Sequence, residues 1–329
     1  MEFKKVSVVV PILNEKLYIR KFLDALLSQD YPKEFLEIIL VDGLSNDGTV
    51  EVINEYVKKY DFIRLYTNPK KTVQYALNIG ISQATGEYVV RLDAHTRHQS
   101  DYISKCIEYA EKTGADCVGG PMIGYGFNPV QNVIAAAYAS PFSFGWSPHY
   151  RNDFEGYVDT VSWGCFKREK LLELGMYDER LPRSEDDDLS FRIIKNGGKI
   201  YLTPEIKSQY YPKENFRRLF KQFFDYGVWK IAVMKKHGRP LRIPQLIPMC
   251  FVSFLILFGI LSLFNSTCFY LFLLGVFSYF ITSFYFSFTS KRLSSFKDRL
   301  LLMWAQFVIH VSYGLGFWVG IFKFWNTKW

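Results

Sequence analysis

Cysteine is scarce and unpatterned: the five residues Cys106, Cys117, Cys165, Cys250 and Cys268 contain no C-x-x-C pair. An odd number without metal-ligand spacing excludes a disulfide framework and a zinc site, and points to a reduced compartment. Internal repeats and low-complexity tracts are absent, which excludes solenoids and disordered linkers. With 49% hydrophobic and 22% charged residues, the chain has ample material for a core. Met1 to Lys5 lead straight into the first apolar run, so no signal peptide is expected.

Charge is missing where its absence matters most. Residues 243–264 and 268–288 carry no charged side chain, and residues 300–322 carry only His310. Each run is about 20 residues long, enough to cross a hydrocarbon core. The mean hydropathy of −0.01 therefore averages two unlike halves, α/β-like through Lys207 and lipid-exposed from Pro244. A purely soluble protein is excluded.

Acids are also missing from one stretch. Between Pro212 and Arg242 nine basic residues (Lys213, Arg217, Arg218, Lys221, Lys230, Lys235, Lys236, Arg239, Arg242) face two acids, Glu214 and Asp225. That excess of seven nearly equals the net charge of +8 on the whole chain. Because the cluster abuts hydrophobic spans, anionic lipid head groups fit it better than nucleic acid. The link Asn265–Thr267 is a tight turn, whereas Ser290–Arg299 holds Lys291, Arg292, Lys297 and Arg299 against Asp298. The positive-inside rule places 235–242 and 290–299 in the cytoplasm. The 265–267 link and the residues after Phe322 are then outside. The third span is the weakest, since Gly314, Gly316, Gly320 and His310 equally suit a re-entrant or interfacial helix. Trp304, Trp318, Trp325 and Trp329 read as interface anchors.

What is present upstream is strand–helix alternation. Val6–Pro11, Glu37–Asp42, Ile63–Tyr66 and Glu87–Asp93 read as strands. Helices are expected from an Asn14 cap to Gln29, from the 43–48 turn to Lys59, and over Thr72–Ala84. This predicts a mostly parallel sheet with right-handed crossovers and a ligand crevice at the strands' carboxyl ends, where Pro11, Asp42 and Asp93 lie. The alternation then loosens over 121–157, with one helix near 130–139. Strand character returns over 158–167, a helix over 185–196 and a last strand over 199–202. The expected divisions are 1–210 (α/β), 211–242 (amphipathic, membrane-interface) and 243–329 (membrane-spanning).

Two acidic motifs carry the chemistry. Asp93-Ala-His95 ends a strand, so a carboxylate and an imidazole two residues apart can hold one divalent ion, which in turn holds a diphosphate. The plain alternative is a strand-terminal cap with His95 merely exposed. Glu185-Asp-Asp-Asp188 opens a helix, where the macrodipole favours acids. A helix start needs one or two of them, however, and a carboxylate among like charges gains the proton affinity of a general base.

Together Pro11-Ile-Leu-Asn-Glu15, Val41-Asp-Gly-Leu-Ser-Asn-Asp-Gly-Thr49, Asn78…Ala84-Thr-Gly86, Asp93-Ala-His95 and Glu185-Asp186…Asp188-Leu189…Arg192 form an ordered series. Over about residues 5–242 it resembles family 2 glycosyltransferases of the GT-A fold, membrane-attached and of the succinoglycan exopolysaccharide type. The resemblance implies an inverting transfer from a nucleotide-sugar donor, with uridine favoured, to a lipid-linked polyprenyl or membrane-associated glycan acceptor. It puts Pro11, Asn14, Glu15, Asp42, Asn78, Arg91 and Asp93 at the nucleotide, and Mn²⁺ or Mg²⁺ on Asp93 and His95. His95 replaces a second aspartate, which favours manganese. Asp186 would be the base with Glu185 beside it, and Arg192 a structural partner. One family acid near the nucleoside is missing after Asp42, and Asp47 is its candidate substitute. Gln222-Phe-Phe-Asp-Tyr-Gly-Val-Trp229 is a relaxed form of a polysaccharide-synthase motif. It offers Gln222, Tyr226 and Trp229 to the acceptor, or simply an interfacial helix; Trp163 stacks on a sugar or fills the core. A polyprenyl-phosphate sugar synthase and a non-catalytic nucleotide-sugar-binding subunit are the rival readings, and a homo-oligomer is left open. The resemblance implies an integral membrane location with the α/β part facing the cytoplasm.

Overall fold

The computed structural model describes residues 3–238 and 243–329. Arg239 and Arg242 of the basic stretch, and the first two residues of the lead-in to the first strand, lie outside the described residues. The chain divides into two compact units, one of residues 1–123 and 151–210, the other of 124–150 and 211–329.

In the first unit the expected alternation forms: β1 (Val6–Ile12), α1 (Lys16–Leu27), β2 (Leu36–Asp42), α2 (Thr49–Val57), β3 (Ile63–Thr67), α3 (Val73–Gln83) and β4 (Tyr88–Arg91). Then come β5 (Thr96–His98), α4 (Tyr102–Thr113), β6 (Cys117–Gly119) and β7 (Met122–Gly124). After the second unit's α5 (Pro129–Ala139), the chain returns through β8 (Gly156–Val158), β9 (Cys165–Lys167), α6 (Arg168–Glu173), α7 (Glu185–Lys195), β10 (Ile200–Leu202) and β11 (Ser208–Tyr210). The eight-stranded order is β3-β2-β1-β4-β9-β6-β10-β8, and β5-β11-β7 form a small second sheet. β3, β2, β1 and β4 pair in parallel, whereas β9 runs antiparallel to both β4 and β6. β1 and β2 are β-branched and buried on both faces, as strands covered by helices must be. Gly80 lets α3 lie flat on the sheet: a Cβ there would meet Val9 Cγ1 at 2.3 Å. Val9, Ile39, Val41, Leu77, Ile81, Phe166, Leu189 and Ile193 share this core.

Two local expectations are corrected. Asn14 does not cap α1; it sits in the left-handed region at φ 56°, and Glu15 takes the cap position. Residues 158–167 are not one strand, because β8 and β9 are separated by a turn that holds Trp163 at φ 47°.

The second unit holds α5 and the helices α8 (Phe216–His237), α9 (Ile247–Leu261), α10 (Ser266–Phe288) and α11 (Phe296–Lys323). The segment 124–150 thus groups with the C-terminal helices, although it lies within the sequence of the α/β half. Three helical stretches, 243–261, 266–288 and 296–323, are long and apolar enough to cross a membrane.

Candidate active site

The site is built in the first unit from loops that follow β1, β2 and β4 and from the first turn of α7. The turns after β1 and β2 are laced together. Asn14 N–H donates to Ser45 Oγ (2.8 Å), Asn46 N–H to Asn14 Oδ1 (3.0 Å), Glu15 N–H to Thr49 Oγ1 (2.9 Å) and Lys16 N–H to Asp47 Oδ2 (3.1 Å). Asp47 also accepts from Thr49 N–H, so its carboxylate is committed to the turn. Asp42, buried at the end of β2, accepts from Ser45 N–H at 3.0 Å through Oδ2. Its Oδ1 is buried without a hydrogen-bond partner. A buried carboxylate oxygen of this kind calls for an external donor.

Arg91, 8% exposed at the end of β4, gathers three carboxylates. It donates to Asp186, lies 3.5 Å from Glu185 Oε1 and 3.9 Å from Asp93 Oδ1, and passes over the Tyr177 ring. Without that cation the three acids would repel one another at close range. Burial, reinforced by the charge of Asp186, pushes the Glu185 carboxyl up to about 7. Burial also raises Asp186, with Arg91 pulling it back, and its side chain is still 36% exposed. Burial opposes ionising Asp93, yet Arg91 foremost, then His95 and the Trp163 N–H, bring it below its ordinary value.

Asp93 is held by an aromatic box. Trp163 Nε1–H donates to Asp93 Oδ2 at 2.8 Å, and Tyr102 O–H donates to the Trp163 carbonyl at 2.7 Å. Edge-on contact with His98 and a tilted Tyr210 enclose the indole, which is 6% exposed. Thr96 O–H is spent on the Asp93 carbonyl (2.6 Å), so its oxygen accepts from His98 Nε2–H (2.7 Å). Burial accordingly depresses His98 to about 3 and keeps it neutral. The indole is thus a support for Asp93, and of the two readings of Trp163, stacking on a sugar or filling the core, its burial fits the second. Sequence reasoning missed Tyr102, His98 and Thr96, whose roles depend on long-range packing.

His95 is half-exposed, and its Nδ1 lies 2.9 Å from Glu15 Oε1. Glu15 therefore meets the imidazole. Asn78 is buried with its amide on the 177–179 loop: Nδ2 donates to the Tyr177 carbonyl (2.9 Å), and Oδ1 accepts from Tyr177 N–H (2.9 Å). Arg192 pairs with fully buried Asp188 (2.9 Å) and donates to the Leu174 and Met176 carbonyls, a clamp that anchors α7. Pro11 lies within β1, paired with Val41.

Gln222, Tyr226 and Trp229 belong to the second unit. Gln222 accepts from Tyr138 O–H (3.2 Å) and donates to Tyr226 Oη (3.0 Å). Trp229 packs on Phe324, with the Lys323 ammonium 4.7 Å over its ring. Among the described residues, no group of three or more His, Cys, Asp and Glu is arranged to hold a metal ion.

Comparison with known proteins agrees with this architecture. The model of glycosyl transferase family 2 matches residues 7–171. A curated relative, the dolichyl N-acetyl-alpha-D-glucosaminyl phosphate 3-beta-D-2,3-diacetamido-2,3-dideoxy-beta-D-glucuronosyltransferase of Methanococcus voltae, is 32% identical over 240 residues, 70% of this chain and 74% of that protein. Succinoglycan biosynthesis protein ExoA of Rhizobium meliloti (strain 1021) is 29% identical over 244 residues, 74% of each. In fold, the chain is similar to the mannosyltransferase PcManGT from Pyrobaculum calidifontis, solved with GDP-Man and Mn²⁺. The TM-score is 0.62 at 18% identity, over 99% of this chain and 89% of that one. The alternating sheet, the acid-bearing strand ends and the family match converge: this chain is a glycosyltransferase of family 2, with the GT-A fold.

Proposed function

We propose that the chain transfers a sugar from a nucleotide-sugar donor, a uridine diphosphate sugar by preference, to a hydroxyl of a lipid-linked or membrane-associated glycan. The transfer inverts the anomeric centre, and Asp186 is the base. One observation carries this reading: buried Arg91 draws Asp93, Glu185 and Asp186 into one cluster at the carboxyl end of β4. The lipid-linked and polysaccharide-building roles named for the two curated relatives support the acceptor class.

The residues fit a divalent metal held jointly with substrate. Asp93 and His95 give one carboxylate and one imidazole, short of a protein cage, as suits an ion whose remaining ligands are phosphate oxygens. Mn²⁺ suits the nitrogen donor better than Mg²⁺. When bound, such an ion neutralises the charge of the departing diphosphate. Glu15 behind His95 fixes the imidazole's orientation, as carboxylates behind ligating histidines do. The partnerless oxygen of Asp42 suits a nucleobase N–H. Asp186, the more exposed acid of the pair, is the one an acceptor hydroxyl reaches. Glu185, held up to about 7, keeps the local negative charge low. A lipid phosphate acceptor is already anionic and needs no base, so this acid pair favours a hydroxyl acceptor.

The test is Asp186→Asn in membranes, assayed with a polyprenyl-diphosphate sugar and with a polyprenyl phosphate as acceptors. Transfer to the former should fall about 10²–10⁴-fold, the usual worth of a positioned base, with donor binding retained. Undiminished turnover would remove Asp186 from its role, and transfer only to the phosphate would replace the hydroxyl acceptor.

A further inference from the structure

Three helices have the length and apolarity of membrane spans, but they are not alike. Only 6% of the α9 span and 11% of the α10 span are buried in the protein, against 56% for α11. What covers α11 decides where it lies.

Over its second half the cover is α8, packed so closely that no lipid fits between. A Cβ on Gly316 would meet the Phe224 carbonyl oxygen at 2.2 Å, one on Gly227 the Tyr313 oxygen at 2.3 Å, and one on Gly320 the Val228 oxygen at 2.6 Å. Further on, Lys235 Nζ donates to the Phe324 and Trp325 carbonyls at 2.6 and 2.7 Å. α8 carries Arg217, Arg218, Lys221, Asp225, Lys230, Lys235 and Lys236 within its 22 residues. Such a helix belongs at the bilayer surface, since charge in the hydrocarbon region is excluded or confined to paired, internal sites. The half of α11 in direct contact with it, from Tyr313 to Lys323, and the Phe324–Trp325 turn after it share that level.

Over its first half the cover is the turn after α5. Gln306 Nε2 donates to Ser140 Oγ (2.9 Å), and the Phe142 ring meets the His310 ring at 5.1 Å. This turn includes Ser140, Ser143 and Ser147, and both ends of its segment lead back to the sheet-bearing unit. Outside its contacts with α9 and α10, α11 is thus flanked along its length by α8 and by this turn.

The hairpin of α9 and α10 completes the geometry. Its helices stack through Phe251 on Tyr279 and Phe254 on Phe272. The contacts joining α11 to it fall at one end. Gly314 faces Pro248 and Val252, Trp318 Nε1–H donates to Ser253 Oγ, His310 meets Tyr279, and Gln306 accepts from Ser283 and Ser287. Over 306–310 its partners are on α10, between Tyr279 and Ser287, and over 314–318 they are on α9, between Pro248 and Ser253, so α11 passes from one helix of the hairpin to the other at that end. A third parallel span would follow α9; α11 crosses the hairpin's base. Its uncovered face is a stripe of Leu300, Trp304, Val319 and Phe322, and basic residues stand at both ends, Lys297 and Arg299 before, Lys323 and Lys328 after.

We propose that α9 and α10 alone cross the bilayer, and that α11 is an interfacial helix. It docks on α8 across the base of the hairpin, presents one apolar stripe to the lipid surface and keeps both ends on the side of α8. The residues after Phe322 then lie on that side, opposite to the placement expected from three successive spans.

The test is accessibility to a membrane-impermeant maleimide in the full chain carrying Cys250→Ser and Cys268→Ser; Cys106, Cys117 and Cys165 are buried. Thr267→Cys, Ser295→Cys and Lys328→Cys are added one at a time, each checked for retained transfer in membranes. The expected result is labelling of Thr267→Cys in intact cells, and of Ser295→Cys and Lys328→Cys only after permeabilisation. Labelling of Lys328→Cys in intact cells overturns the proposal, as does protection of Thr267→Cys until permeabilisation. A fluorescent protein fused after Trp329, active only in the cytoplasm, gives a second readout without a cysteine; its silence in an expressed fusion would also overturn the proposal.

Discussion

At the residue scale, Glu185 holds its proton more tightly in the folded chain than an ordinary carboxyl does, because it is buried and faces Asp186. Its burial therefore costs nothing at low pH, and the cost grows as the pH rises from the ordinary carboxylate range to about 7. Glu185→Gln should melt close to wild type near pH 4.5 and become relatively more stable up to pH 7.5. The whole shift corresponds to about 3 kcal/mol at most. A thermal-melt series in detergent checks this, and a constant difference across that range would show that Glu185 is ionised throughout. Trp163 offers a second case. A tryptophan at φ 47° is strained, and such strain persists where the surroundings over-determine it. The surroundings here are the Tyr102 hydroxyl on its carbonyl and its own N–H on Asp93. Trp163→Phe keeps most of the packing and removes the N–H. It should raise the Mn²⁺ concentration for half-maximal binding by about 10–100-fold, the usual loss when a metal ligand's support is removed. Titration of Mn²⁺ with nucleoside diphosphate present reads this directly, and a melting temperature near wild type would separate it from a packing defect.

At the scale of elements, what was legible in the sequence was what period and punctuation encode. The β-branched runs of β1 and β2, the turn at 43–48 and the acid-rich start of α7 all announce themselves locally, and with them the strand ends that carry Asp42 and Asp93 and the helix start that carries Asp186. The supports of those acids were not legible. The resemblance puts Arg91 at the nucleotide and says nothing of its hold on the acids, because its partners Glu185 and Asp186 lie more than ninety positions away. Asn14 looked like a helix cap by type; its side-chain oxygen is instead taken by Asn46 N–H, and that exchange puts its backbone in the left-handed region. Residues 158–167 carried strand character throughout, but the Asp93 contact turns the chain at Trp163 and leaves two short strands. The glycines at 314, 316 and 320 marked the third apolar run as unusual. Only packing shows the reason, which is the approach of α8 and α9 backbone.

At the scale of the molecule, the charge is distributed as a membrane enzyme needs it. The excess of basic residues falls between the α/β half and the apolar helices, and three of them, Arg217, Arg218 and Lys221, decorate the first turns of α8. Arg218 is neutralised by Glu214 (2.6 Å), and Lys221 is loosely held by Asp225 (3.3 Å). Arg217, Lys221 and the exposed ring of Phe220 share a stretch that opens to solvent. An aromatic ring beside cations suits the head-group layer, where each lysine or arginine contributes about 1 kcal/mol against an anionic surface. The consequence is a dependence of turnover on lipid charge. In nanodiscs, replacing part of the phosphatidylcholine with phosphatidylglycerol should raise the rate of transfer to a lipid-linked acceptor, and added salt should erase the gain as it screens the surface. Arg217→Gln with Lys221→Gln should leave the rate in phosphatidylcholine alone unchanged and abolish most of the response to phosphatidylglycerol. If the double variant responds as fully as wild type, these side chains do not meet the lipid, and α8 contacts the membrane through another face.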